Sequence, residues 1–480
     1  MTLNQFVINY LNQKFGYEIV KDTEMYDKID LWKSYYKDEE ELHKYIDSFG
    51  KTRYAYSLGM AKRISEDWAS IGYTEKDEIS VNKNNNKKFI KDFIEEVKLN
   101  NEIPTAIETA TWSGTCGVIL RLKNIAIQGK KIVATDKTSY DLITVSAKNI
   151  LPLRIEHGNI IDVAFVSGIR KDNKKLIYIE LHRLTNNGYV INNIYLDAKS
   201  GKEVRYDDII SEMETESDTP LFSILRTPII NTIDDNLGLG MSMYGNAIDQ
   251  LKDCDVKYNN SVMDFVLGGK KIIYNKKLIK YGTRRIKNDD GTYRTEEYPI
   301  YPDDISKQQF MEIGDALSKD ELIHEYNPDL RTEQNKDGLQ FALDLLSFKT
   351  GLGTKYYEFS GGSVVTATQY AGDRQDLMKN AKKYRDNINE FIGGILKASL
   401  LLARLVLKKN VTEDCIISVT NRDGLLVSDE EIKEQYRQEY NMGLISKITY
   451  LMKINNWTED EAKEELQKIE NENLIKAVEE

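Results

Sequence analysis

The chain has 480 residues, 41% hydrophobic and 30% charged, as in ordinary soluble globular proteins and enough for a large core divided among about two to four domains. Its net charge of −11 excludes a general nucleic-acid binder that works by neutralising phosphates, although it suits a surface that DNA must pass without adhering. Three scattered cysteines, Cys116, Cys254 and Cys415, lack CxxC spacing and read as free buried thiols in a reducing compartment, not as a disulfide frame or zinc site.

The start has no basic segment followed by an apolar core, so no signal peptide is expected. Residues 1 to about 115 read as helical. Trp32-Lys33-Ser34-Tyr35-Tyr36 leads into the acidic run Asp38 to Glu41, and Leu58 to Trp68 is amphipathic. Helices are expected at Phe89 to Leu99 and at Ile103 to Thr111. From Gly117 to about Val204 the apolar period falls to two. Val118–Leu122, Lys131–Thr135, Ile161–Phe165 and Leu176–Leu181 read as strands of one antiparallel sheet, separated by polar turns such as Asn186-Asn187-Gly188. The acidic stretch with Asp207-Asp208 and Glu212 to Asp218 reads as a solvated loop.

After Asn236-Leu237-Gly238-Leu239-Gly240 a long helix is expected. Its apolar stripe is Tyr244, Ile248, Leu251, Tyr258, Val262 and Phe265, and Gly268-Gly269 ends it. A small mixed segment runs to about Gln334, with strands at Lys271–Tyr274 and Glu297–Tyr301, a turn at Asn288–Gly291 and a short helix at Lys307–Met311. Its first half is basic: Lys270, Lys271, Lys276, Lys277, Lys280, Arg284, Arg285 and Lys287. Such a cluster is either a solvated hairpin or a contact surface for DNA or an acidic partner. A helix returns over Asn335 to Phe348.

The stretch Gly351 to Lys409 organises the chain. A Gly-punctuated run, Gly351 to Phe359, enters a loop of Ser360, Gly361, Gly362, Ser363, Val364, Val365 and Thr366. Leu377, Ala381, Tyr384, Ile388, Phe391, Ile395, Ala398, Leu402 and Leu405 then follow at helical spacing. They predict one helix from about Thr366, roughly 60 Å long at about 1.5 Å per residue, loosened midway by Gly393-Gly394. Ile395 to Leu407 is too short for a bilayer and carries Lys397 and Arg404. Capping boxes at Ser428/Glu431 and Thr458/Glu461 predict helices at about 429–442 and 459–472, with Gly443 stopping the first and Ser446 to Ile454 lying between them.

No catalytic constellation emerges. There is no GxxxxGK[ST], GxGxxG or GxSxG. The four histidines, His43, His157, His182 and His324, form no HExxH or paired spacing. Asp234-Asp235 and Asp303-Asp304 could in principle hold a divalent ion, but adjacent carboxylates on loops are more often helix caps or solvated turns. No enzyme activity, cofactor or metal is expected.

In order, the elements are a helical start, a sheet, a long helix, a small insert, a returning helix, a Gly-rich loop, a very long helix and a helical tail. That order resembles the portal proteins of tailed bacteriophages. Asn236 to Lys252, Tyr326-Asn327-Pro328-Asp329-Leu330-Arg331, Gly351-Leu352-Gly353 with Tyr357, Phe359 and Thr366-Ala367-Thr368, Trp32 with Tyr35-Tyr36, and Met442 to Lys447 are similar to portals from phages of Gram-positive bacteria. The resemblance implies an α+β subunit of a ring, usually of twelve, at one capsid vertex. It carries DNA during packaging and ejection, and is made in the host bacterial cytoplasm and resident in the virion. It implies a wing at 1–236, a first stem helix at 237–268, a clip at 269–335, a second stem helix at 336–350, a tunnel loop and long wing helix at 351–410, and a crown at 411–480. Residues 360–366 would line the channel around double-stranded DNA. The clip with its eight basic residues would dock the terminase large subunit and later the head–tail adaptor. Major capsid and scaffold proteins are the other implied partners, with no membrane. The alternative is a structural adaptor or scaffold of a phage particle without a channel.

Overall fold

The structure, a computed structural model, describes residues 5–19, 24–47, 50–74, 77–128, 131–206, 210–234, 238–275, 280–288, 291–300, 310–313, 323–358, 375–421, 429–455, 457 and 459–479. It is an α+β chain. Helices α1 (Gln5–Phe15), α2 (Glu24–Tyr36), α3 (Met60–Gly72), α4 (Asn84–Glu96) and α5 (Leu99–Ser113) fill the start, as its pattern predicts. Three short strands interrupt them. β1 (Lys44–Ile46) and β2 (Thr52–Tyr54) form an exposed ribbon. β3 (Glu78–Val81) pairs antiparallel with β20 (Ile417–Thr420), far along the chain. Strands this short leave no alternation to read, so the helical expectation overran them.

The strand-rich stretch holds two principal sheets where one was expected. β4 (Thr115–Lys123), β7 (Ser139–Ser146) and β14 (Phe222–Arg226) make a three-stranded sheet with β4 central. β8 (Ile150–Glu156), β9 (Asn159–Lys171), β10 (Lys174–Thr185), β11 (Gly188–Asp197) and β12 (Glu203–Val204) form the second, in which β13 (Glu212–Glu214) also pairs with β11. β5 (Ala126–Gln128) and β6 (Lys131–Val133) pair only with each other. Part of the acidic stretch is therefore a strand, and Thr215 beside it is buried. The second sheet is covered on both faces. Ile177, Ile179 and Leu181 pack with Val7 and Leu11 of α1. The alternate residues Tyr178, Glu180 and His182 face the three-stranded sheet, as the period-two rule requires.

The other face of the three-stranded sheet meets the helices and α8 (Gln375–Leu405). Its predicted stripe is buried from Leu377 through Leu402. The structure describes 31 residues of this helix, about 46 Å; residues 366–374 of the longer expected helix lie outside the described residues. Gly394 does not loosen it. A Cβ there would lie 2.5 Å from Ser223 Oγ, so the glycine lets β14 cross at close range, and Ser223 Oγ donates to Phe391 O at 2.9 Å. Tyr384 Oη donates to Ile107 O at 3.3 Å and Arg385 Nε to Ile71 O at 3.1 Å.

Gly238-Leu239-Gly240 serves packing too. A Cβ on Gly240 would be 2.4 Å from Gly114 O, and one on Gly114 would be 2.1 Å from Gly240 O. Two backbones pass where no side chain fits. Tyr244, the first residue of the predicted stripe, precedes the helix and is fully buried, its hydroxyl donating to Trp32 O at 2.8 Å. Helix α6 (Ile248–Leu267) begins only afterwards.

At the end of the chain, α9 (Asp429–Asn441), α10 (Lys447–Asn455) and α11 (Glu459–Glu479) match the expected helices. Gly443 takes φ +73 with Gly443 N–H donating to Tyr440 O and Leu444 N–H to Glu439 O, a helix stop of the expected kind. Ser446 Oγ accepts the Thr449 N–H at 3.1 Å and caps α10. The caps proposed at Ser428 and Thr458 lie outside the described residues.

Candidate stem and docking tip

Helices α6 and α7 (Thr332–Lys349) run antiparallel and carry a small β unit between them. Asp264, in the last turn of α6, accepts the Arg331 N–H at 2.9 Å, the Arg331 guanidinium at 3.1 Å and Asn335 Nδ2 at 3.2 Å. The Arg331 N–H, then its guanidinium, hold the Asp264 carboxyl below the usual range. One carboxylate thus fastens the exit of one helix to the entry of the next. Gly268 follows, where a Cβ would come within 2.5 Å of Leu330 Cδ2.

Few stem side chains are buried in the single chain. Leu251 and Cys254 are buried on α6, and Ala342, Leu343, Leu346 and Ser347 on α7. Phe265, Val266 and Leu267 are exposed on α6, as are Phe341 (61%), Leu345 and Phe348 (60%) on α7. Exposed apolar residues gathered in this way on one helix pair are a candidate interaction surface.

The tip holds β15 (Lys271–Asn275), flanked by β18 (Phe310–Ile313), parallel, and β19 (Ile323–Tyr326), antiparallel. The predicted helix at Lys307–Met311 is corrected here: Phe310-Met311 begin β18, and 301–309 lie outside the described residues. A separate hairpin joins β16 (Lys280–Lys287) to β17 (Tyr293–Ile300). Its turn is the expected one, with Gly291 at φ +84 and Asn288 N–H donating to Thr292 O.

Of the eight basic residues, five have described side chains, Lys270, Lys271, Arg284, Arg285 and Lys287. Lys270 and Lys271 sit at the start of β15, and Lys270 Nζ is 2.6 Å from Glu325 Oε1. Lys276 and Lys277 lie outside the described residues, as does the side chain of Lys280. Arg284 faces Glu296 across the ladder, with Nε and Nη2 at 3.2 and 3.0 Å from Oε2. Alternation sends Arg285 and Lys287 to the opposite face, beside Tyr281 and Tyr293. Neither makes an ion pair with a described residue, and among the described residues Lys271 and Arg294 make none either. The sequence reading missed the exposed tyrosines Tyr281, Tyr293 (67%), Tyr298 and Tyr326. Their signal was the same period-two spacing that carries the cations.

The predicted channel-lining residues Ser360, Gly361, Gly362, Ser363, Val364, Val365 and Thr366 all lie outside the described residues. The described chain that leads into them is held by hydrogen bonds. Tyr357 Oη donates to Asp67 at 2.8 Å, and Gln340 Nε2 to Tyr357 O at 2.9 Å. Gly351 O accepts from Asn380 Nδ2 at 3.0 Å, and Thr350 O from Trp68 Nε1 at 3.2 Å. The entry to the loop is therefore tied to α3, α7 and α8.

Among the described residues no group of three or more His, Cys, Asp or Glu could hold a metal ion, and no helix is long and apolar enough to cross a membrane. No family model and no curated protein matches the chain. A solved structure described as "Neck of native GTA particle computed with C12 symmetry" aligns over 82% of this chain and 88% of that one, at 10% identity and a TM-score of 0.38. A likeness this loose defines neither the detailed fold nor a role.

Proposed function

We propose that the chain is a portal-type subunit of a phage-like particle. Copies of it, usually twelve, close into a ring at one capsid vertex and form a conduit for double-stranded DNA. In this reading α6 and α7 are the stem and the β unit between them is the clip. Residues 360–366 line the channel, α8 and the sheets make the wing, and α9 to α11 the crown. The clip docks the terminase large subunit and then the head–tail adaptor, while capsid and scaffold proteins meet the outside. The chain has no enzymatic role; a separate motor supplies the energy.

The observation that carries this reading is the stem. Two antiparallel helices leave Phe265, Val266, Leu267, Phe341 and Phe348 uncovered, and a closed ring is one symmetric assembly of copies that covers the same surface on every subunit. The fastened entry to the loop segment and the acidic net charge suit a conduit that holds its loops in place without gripping DNA.

The test is the native mass and negative-stain image of the purified protein, alongside a Phe341→Glu/Phe348→Glu variant. Rings with a central hole that the variant abolishes, its circular-dichroism melt unchanged, uphold the reading. A wild-type monomer or dimer at every concentration and salt favours the adaptor or scaffold alternative. For the clip, Arg285→Glu with Lys287→Glu should block packaging or tail joining while rings still form; wild-type particle yield would remove those residues from the docking role.

A further inference from the structure

The two wing sheets leave a space between them. Beyond Leu120, whose N–H donates to Leu221 O at 2.9 Å, β14 no longer pairs with β4. A cavity of about 310 Å³ opens along that edge. Its walls are mostly aliphatic, from Leu122 on β4 and Ile191 on β11 to Leu402 on α8. The ribbon of β5 and β6 contributes Ile127 and Ile132. This ribbon pairs with no other strand among the described residues. Its base is a hydrogen-bonded knot in which Asn124 O accepts Thr135 Oγ1 at 2.6 Å and Thr138 Oγ1 at 3.1 Å. Ile127 is 38% exposed, so the ribbon walls the cavity on a side that faces solvent.

One end of the cavity is polar. Glu180 takes the Arg121 guanidinium on one oxygen and His182 Nε2, at 2.9 Å, on the other. Tyr178 Oη donates to Asn193 Oδ1 at 2.6 Å, and Asn193 Nδ2 to Ile210 O at 2.9 Å. The Arg121 guanidinium lies 5.2 Å from the Tyr178 ring centroid. This end is neutral overall and its carboxylate is already engaged. Arg121 Nε is a buried donor with no partner, and the buried Nδ1 of His182 has none either. A buried donor left unsatisfied costs free energy that a ligand oxygen would recover, and an apolar hollow with a few convergent polar groups is the usual form of a small-molecule site.

We propose that this cavity binds an uncharged amphiphile: an aliphatic chain bearing one oxygen acceptor, as in an alcohol, amide or ester, which receives the Arg121 Nε–H. A carboxylate head would meet Glu180 and an ammonium head would meet Arg121, so both charges are selected against. Arg121 and Tyr178 also wall a second cavity of about 550 Å³ on β7 and β9, which Ile127 does not reach. The site stands independently of the portal reading.

The test is calorimetric titration of the full chain with octanol, octanoate and octylamine. Octanol should bind saturably and at least about tenfold more tightly than either charged analogue. Ile127→Trp, placed on the solvent-facing ribbon, should abolish uptake by filling the cavity. Arg121→Lys keeps a charge for Glu180 but lacks the Nε donor, and should weaken octanol about three- to tenfold, the worth of one hydrogen bond. No saturable octanol uptake overturns the proposal, as does octanoate binding equally well or uptake that survives Ile127→Trp.

Discussion

Helix α8 and the helices α6 and α7 all carry apolar residues along their length, yet their surroundings differ sharply. On α8 nearly half the residues are buried, including Tyr384, Ile388 and Phe391 at 1% exposure or less. On α6 only Leu251 and Cys254 are. The first stripe is completed within the chain, whereas the second is half-covered at Ile248, Tyr258 and Val262 and exposed at Phe265. An amphipathic pattern therefore says that a face will be buried, but not by which molecule.

The largest effect that would break this comparison is a truncation on each helix. Phe391→Ala should cost about 3–5 kcal/mol in urea unfolding, while Phe348→Ala in the unassembled chain should change stability by no more than about 0.5 kcal/mol. Equal losses would mean that the stem is already covered. Next comes the crossing that leads into the stem. Gly114→Ala puts a Cβ against Gly240 O at a position of φ +82, and should cost about 2–3 kcal/mol. A melting temperature equal to wild type would show that the crossing yields.

A third prediction concerns the charge network that the wing buries and the stem does not. Burial, followed by the Arg121 charge, lowers the His182 pKa from 6.5 to about 3. The native imidazole stays neutral where the unfolded one takes up a proton. Stability is therefore whole above about pH 6.5 and is lost as pH falls toward 3, by about 1.4 kcal/mol per pH unit. Between pH 6.5 and 5 this amounts to about 2 kcal/mol, and His182→Gln should flatten that slope. Identical slopes in both proteins would assign it elsewhere. The smallest effect belongs to the stem's far end. Asp264→Ala should leave the global unfolding midpoint in place and speed amide exchange at Ile323–Tyr326 and Arg331; unchanged exchange would show that Asp264 does not hold the tip.

Much of the fold was legible because it is local. The α8 stripe, the stem pair, the β-rich stretch and the Gly443 stop all follow from spacing or from a single special residue. What stayed hidden depends on distant partners. Nothing near Glu78–Val81 announces Ile417–Thr420, and the division into two sheets depends on β14 returning to β4. Phe310-Met311 looked helical because a four-residue strand has too little alternation to declare itself, and its pairing with β15 lies outside that window. The candidate tip was half legible. The cations were visible as a cluster, but the ladder divides them between faces, engages Arg284 with Glu296 and adds tyrosines that a count of charge passes over.

The pairing of β3 with β20 also bears on how the chain comes into being. Residues 78–81 find their strand partner only at 417–420, and α8, around which the wing helices pack, lies just before that second segment. On a ribosome the wing helices would wait for most of the chain to emerge. The stem and tip, whose contacts lie largely between 248 and 349, are free to take shape earlier. Long-range closure of this kind slows folding and leaves apolar faces open meanwhile. Synthesis of the last quarter of the chain thus sets the moment at which the wing becomes whole.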